Sequence, residues 1–266
     1  MVGDFEVSVG AAALAVAHPG HELWLTRWIE QARPEVFVLT AGSRSGGSCE
    51  RVQASRRLAE ALGARPGAVF GRHLDREVYG WVLEGDHRPF AALAEELADA
   101  FVASRLDLVV TDAWQLYNVV HDLWRVTVAG AAALAGERLG RAVRCLDYAV
   151  VPEAMSGRAL GPVRVSLQLS EAEARRKLEL ARAFPEIAGD LDEVRRHGGE
   201  ALLGVETLHG LRPLSELVPR PGEVPLYERY GEDRVAQGLY RSVLRWSHVE
   251  PVVRRLEDAL KVPAAA

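Results

Sequence analysis

Ala15-Val16-Ala17-His18-Pro19-Gly20-His21-Glu22 is the stretch on which the fold turns. An apolar run from Ala11 to Ala17 ends in a proline-glycine turn carrying two histidines and a glutamate, and a helical pattern starts directly afterwards. A short continuous apolar run closed by Pro-Gly has the character of a strand buried on both faces. Open α/β sheets bind their ligands outside the carboxyl ends of such strands. This stretch therefore predicts a fold and also a place for chemistry.

The same alternation continues downstream. His21–Glu30 carries apolar residues at helical spacing and Pro34 stops it; Val36–Thr40 is a second buried strand. Ala41–Ser48 is a Gly/Ser/Arg loop, and Cys49–Leu62 a helix ended by Gly63. Ala68–Phe70 is a short third strand, followed by helices over Arg76–Glu84 and Phe90–Ser104. Leu106–Thr111 is a strand with Asp112 at its tip, Val119–Leu139 a helix, and Val143–Leu146 a further strand. Parallel strands with right-handed crossovers follow from that order. The expected class is α/β, a Rossmann-like, doubly wound, mostly parallel sheet with a small C-terminal subdomain of helices and an edge strand.

Residues 1–150 form the expected α/β unit, and residues 151–266 a C-terminal extension that covers the sheet and shapes the pocket. In the extension, Val163–Leu169 alternates like a strand with one exposed face. Ser170-Glu171-Ala172-Glu173 is a capping box for a helix to Phe184. Short helices are expected at Leu191–His197 and Glu200–Leu203, then a Pro-rich link from Arg212 to Pro225 and helices over Glu232–Leu244 and Glu250–Leu260.

Composition narrows the function classes. The chain of 266 residues is 48% hydrophobic and 26% charged, which is globular and long enough for a large core. A net charge of -5 argues against a general nucleic-acid binder. Cys49 and Cys145 are too few and too far apart for a disulfide scaffold. Asp4 and Glu6 stand where a secretory leader would be basic, and no apolar run would span a bilayer. A cytoplasmic protein is expected, with neither nucleic acid nor membrane as partner; a homo-oligomer is compatible with these features. No GxxxxGK[ST], GxGxxG or Gly-x-Ser-x-Gly motif is present.

His18 and His21 lie three residues apart across a turn, so both imidazoles can face one point. Histidine is the commonest neutral-pH ligand for zinc, and a catalytic zinc takes three protein ligands plus water. His73, His87, His121, His197, His209 and His248 are available as a third. His121 has the best position, in the first turn of the helix after Asp112, at the same sheet edge; otherwise it is a surface residue at a helix start.

Ala-His-Pro-x-x-Glu after the first strand, with a second strand ending in Thr and a Gly/Ser/Arg loop, resembles the opening of the LmbE/PIG-L family. These are zinc-dependent deacetylases acting mostly on N-acetylglucosamine conjugates and related amides. The resemblance covers roughly residues 12 to 150 and differs in letters: Ala-His-Pro-Gly-His-Glu stands for Ala-His-Pro-Asp-Asp-Glu. It implies Zn2+ on His18, His21 and His121. His21 stands where the family has its second aspartate, a ligand, and Gly20 where it has the aspartate base. Asn118 stands where the later His-Pro-Asp-His motif begins.

The expected activity is removal of an acyl group, acetyl first, from a small-molecule acylated amine or amino-sugar conjugate. Asp112 is the first choice for proton transfer or for orienting a ligand histidine, with Glu22 beside it. Asn118 and Tyr117 are candidates to stabilise the oxyanion. Arg44, Ser45, Asp75 and Trp114 are candidates to contact substrate, with Arg51 and Arg56 weaker. The alternative is a metal-binding relative that has lost hydrolysis together with the aspartate at position 20.

Overall fold

The computed structural model of the protein describes residues 10–42, 48–182, 184, 196 and 203–260. The first half alternates strands and helices: β1 (Ala12–Val16), a 3-10 turn (His21–Leu25), α1 (Thr26–Ala32), β2 (Glu35–Thr40), α2 (Ser48–Ala61) and β3 (Arg65–His73). There follow α3 (Asp75–Leu83), α4 (Arg88–Ala103), β4 (Leu108–Asp112), α5 (Val119–Leu139) and β5 (Arg144–Tyr148). The second half supplies α6 (Glu153–Ser156), β6 (Val163–Gln168), α7 (Glu171–Arg182), β7 (Val205–Gly210), α8 (Leu226–Ala236) and α9 (Trp246–Leu260).

Among the described residues, seven strands form one sheet in the order β3-β2-β1-β4-β5-β7-β6. The first five are parallel; β7 runs antiparallel to both β5 and β6. The chain winds outward from β1 to β3, then returns to lay β4 on the other side of β1. That reversal puts the topological switch point between the carboxyl ends of β1 and β4, where an open sheet leaves a crevice.

The pleat of β1 explains why both sheet faces are covered. Ala12, Leu14 and Val16 pack with Trp28, Ile29, Leu58 and Ala59 on one side. Ala13, Ala15 and Ala17 pack with Leu97, Phe101, Leu123 and Trp124 on the other. Alternating side chains that are all apolar require helices on both faces. Helix α9 adds Val249, Val252, Val253, Leu256 and Leu260 to the second layer.

Several expected elements differ from those observed. Strand β3 extends well beyond Ala68–Phe70. Val205-Glu206-Thr207-Leu208-His209-Gly210 forms β7 inside the sheet. The helix expected over Glu232–Leu244 instead starts at Leu226, immediately after Pro225, and ends at Ala236. Proline favours that start because its missing N–H would be unpaired in any case. The capping box before α7 is present, with Glu173 accepting from Ser170 N at 2.7 Å and Ser170 Oγ accepting from Glu173 N at 3.3 Å. The short helices expected at 191–197 and 200–203 fall almost wholly outside the described residues.

Candidate functional site

His18 and His21 stand on the turn after β1, and His121 on the first turn of α5, so the switch point brings the three together. Their ring centroids lie 4.7 Å apart for His18 and His121, 4.8 Å for His21 and His121, and 5.5 Å for His18 and His21. All three are buried. Gly20 makes the turn possible at φ 97°, a left-handed conformation natural to glycine.

The hydrogen-bond network assigns the tautomers of two rings. The Thr40 hydroxyl donates to Ala17 O at 3.2 Å, so its oxygen is an acceptor toward His18 Nδ1, 2.8 Å away. His18 therefore carries its proton on Nδ1, which also lies 3.3 Å from Asp75 Oδ1, and keeps a lone pair on Nε2. His121 Nδ1 lies 2.7 Å from Asp112 Oδ2, a carboxylate that accepts, so its Nε2 is likewise the free acceptor. His21 Nδ1 is buried with no hydrogen-bond partner among the described residues. Burial first, and then the neighbouring His121 and His18, hold the pKa of His21 well below the usual imidazole value. A neutral imidazole with an unpaired buried nitrogen suits a metal ion.

Ligand atoms of His21, Asp112 and His121 lie within 4.8 Å of one another. Asp112 differs from the histidines in having its valences filled. Ala17 N donates to Oδ2 at 2.8 Å, His121 Nδ1 bonds the same oxygen, and the Tyr148 hydroxyl donates to Oδ1 at 2.7 Å. A wholly buried carboxylate bonded in this way orients the imidazole in front of it.

The other candidates divide by contact. Glu22 is buried inside the turn, where Oε2 accepts from Gly20 N at 2.6 Å and Oε1 from the Ser55 hydroxyl. Burial lifts its carboxyl to about 7 despite those bonds. Asn118 caps α5, its Oδ1 accepting from Val120 N at 2.9 Å, and its Nδ2 lies 3.5 Å from His18 Nε2. Tyr117 is half-buried in the loop between β4 and α5. Asp75 lies against His18; burial opposes its charge, but His18, Thr40 and Arg51 together bring its carboxyl down to about 2. Trp114 is buried edge-to-face against Trp246, 6.3 Å between centroids, so much of its ring is packed. Arg44 and Ser45 lie outside the described residues.

Ser55 and Tyr148 carried no sequence signal; Thr40 enters the sequence reading only as the end of the second strand, and Arg51 only as a weak candidate for substrate contact. Arg51 donates from Nε to Pro19 O at 3.0 Å and clamps the histidine turn from α2. Asp122 pins the loop ahead of α5, accepting from Gln115 N at 2.9 Å and Leu116 N at 3.3 Å; burial raises its carboxyl to about 7. In that loop Leu116 is held at φ 52°, strained for a leucine.

Two solved structures share this architecture. One is a triple mutant of a deacetylase involved in the teicoplanin biosynthetic pathway; the other is a deacetylase–bog complex from the biosynthesis pathway of teicoplanin. Each is 16% identical, with a TM-score of 0.50 over 74% of this chain and 96% of its own. The chain has the fold of these deacetylases. No protein-family model and no curated protein matches the sequence. Among the described residues, no helix is long and apolar enough to cross a membrane.

Proposed function

We propose that the protein is a zinc-dependent hydrolase that removes an acyl group, acetyl first, from the amine of a sugar conjugate or small metabolite. The observation that carries this reading is the convergence of three buried imidazoles at the switch point, two of them fixed through Nδ1 by a carboxylate. His18, His21 and His121 would hold the metal, and their chemistry fits it: imidazole nitrogen donors, with a buried His21 Nδ1 that has no hydrogen-bond partner among the described residues. When bound, zinc supplies a Lewis acid that polarises the acyl oxygen and brings the pKa of its water to about 7. Deacetylases of the same fold support the reaction class.

The chain's own groups have separable tasks. Asp112 holds His121, and Thr40 with Asp75 holds His18. Asn118 Nδ2, beside His18 Nε2, is placed to donate a hydrogen bond to the acyl oxygen as charge develops there; an amide cannot release a proton. Glu22 titrates near neutrality, but both its oxygens are engaged within the turn, so it shapes the turn.

One observation favours a second reading. Gly20 supplies no carboxylate at the position of the family's base, which suits a metal-binding relative without turnover. Zinc analysis followed by a panel of N-acetyl and N-formyl amino sugars separates the two readings. The hydrolase reading expects near-stoichiometric zinc, acetate or formate release, and loss of both metal and turnover in His121→Ala. Zinc without turnover on any substrate selects the second reading, and no zinc uptake when the metal is offered rejects both.

A further inference from the structure

A cavity of about 460 Å³ lies along one flank of α9, and no group of the imidazole centre lines it. That volume falls within the roughly 300–1,000 Å³ of small-molecule sites. Trp246, Glu250, Val253, Arg254 and Glu257 line it from the helix, a single stripe at helical spacing. Leu214, Ser215, Val218 and Pro219 form the facing wall, in and just after a 3-10 turn (Leu214–Glu216). Trp114 lies at the end where Trp246 stands, and the two indoles meet edge-to-face.

Both walls are held in place. Trp246 N donates to Glu228 Oε1 at 2.7 Å, which fixes the first turn of α9. On the facing wall Leu217 is buried in the core. Arg158 Nη1 donates to Val218 O at 3.3 Å, and its Nη2 to Glu223 Oε2 at 2.6 Å. Val218 is nevertheless 39% exposed, so the apolar lining is left open beside the indoles.

Charge is unequal along the cavity. Arg254 Nη2 pairs with Glu250 Oε1 at 2.5 Å, but Glu257 has no ion pair among the described residues. Glu257 stands in the last turn of α9, next to Asp258 and with no basic residue in that turn. The carbonyl end of a helix adds further negative charge there. Burial and Asp258 raise the Glu257 carboxyl above the usual value, against the pull of Arg254. About 16 Å of helix, at 1.5 Å per residue, separates Glu257 from the aromatic end at Trp246.

We propose that this cavity binds an organic ammonium ion with an apolar tail, the tail between the indoles and the 214–219 wall and the ammonium at Glu257. A carboxylate ligand would meet Glu250 and Glu257 at once, and a neutral one would gain only the contacts of its tail. The site is separate from the imidazole centre and does not rest on the reading of that centre.

Titration of the full chain with 4-phenylbutylamine, 4-phenylbutanol and 4-phenylbutyrate, which share a ring and a tether, isolates the head group. The indole N–H NMR signal that disappears in Trp246→Phe should shift when the amine is added. The amine should bind roughly fivefold more tightly than the alcohol, as an ion pair at a helix end provides, and the carboxylate should bind weakest. Salt at about 1 M should shrink that difference. Glu257→Gln should bring the amine down to the alcohol's affinity and leave the alcohol unchanged. Ser215→Trp, made at an exposed position of the wall, should obstruct all three, and saturating zinc should alter none. An alcohol or carboxylate that binds as tightly as the amine, or a preference that survives Glu257→Gln, overturns the proposal. So does an unshifted Trp246 signal, binding unaffected by Ser215→Trp, or binding that zinc displaces.

Discussion

His121 is fixed at Nδ1 by Asp112 and open at Nε2. Asp112→Asn keeps the shape but replaces an acceptor-only carboxylate by a group that can also donate toward His121 Nδ1. Zinc affinity should fall roughly 10- to 100-fold, as for other groups that orient a ligand histidine, with the folded chain retained. Competition with a zinc chelator reads the loss, and an unchanged affinity would mean that Asp112 serves only Ala17 N and Tyr148. Gly20 poses the opposite question. Gly20→Asp places a carboxylate where the LmbE/PIG-L pattern that the sequence resembles has its base, but at φ 97°, so it should cost about 1 kcal/mol of stability, read as a lower Tm. If proton transfer limits the hydrolase, kcat on an acylated amino sugar should rise while zinc content holds. An unchanged kcat would locate the limit elsewhere.

Among the elements, α5 carries the most constraint, because it presents His121 and Asn118 at one end and is buried along most of its length. Near its middle, a Cβ on Gly130 would run into Leu260 Cδ1 of α9. Gly130→Ala should cost about 1–3 kcal/mol, as overpacking does, and less in a background with Leu260→Ala. Denaturant unfolding of the two single variants and the double variant measures the coupling; strict additivity would show that the two helices do not meet there. Strand β5 carries a pH-dependent element. Burial raises Asp147 to about 6 despite its 3.2 Å contact with Arg125 Nε. The folded state then binds the proton more tightly than the unfolded chain, so this contribution is full below pH ~4 and is lost as pH rises through about 6. Asp147→Asn should flatten the stability profile between those limits. Strands β1, β2 and β4 and helix α5 were legible because buried parallel strands are almost uniformly apolar and α5 is long, whereas only the apolar centre of β3 was read; His18, His21 and His121 followed from strand-end positions. The orienting groups were not legible: Thr40, Ser55 and Tyr148 are common residues whose roles arise only when distant strands and helices meet. β7 was missed because Glu206 and His209 interrupt its apolar pattern, although Glu206 has a specific partner inside the fold.

That partner joins the two halves of the molecule. Glu206 comes from β7 in the second half yet is buried over the start of α1 in the first. It accepts from Arg27 N at 3.1 Å, Trp28 N at 2.8 Å and the Thr26 hydroxyl at 3.1 Å, meeting the unpaired donors of the helix's first turn. Lys177 from α7 completes the arrangement, with Nζ 2.9 Å from Glu206 Oε1 and 2.6 Å from Trp24 O. Burial lowers the pKa of Lys177, opposed by the Glu206 carboxylate, so charge on the lysine depends on its partner. Removing one member leaves the other buried and uncompensated. Lys177→Met and Glu206→Gln should therefore each cost about 3–5 kcal/mol, whereas the double variant should cost clearly less than their sum. The loss should extend beyond β6 and β7, because the uncapped helix α1 follows directly on the His18–Glu22 turn. In Glu206→Gln, amide exchange should accelerate across Thr26–Ala32 as well as in β7, and zinc affinity should weaken although no imidazole has changed. Faster exchange confined to β7, with metal affinity intact, would show that the C-terminal strands are an independent cover and not a brace for the site.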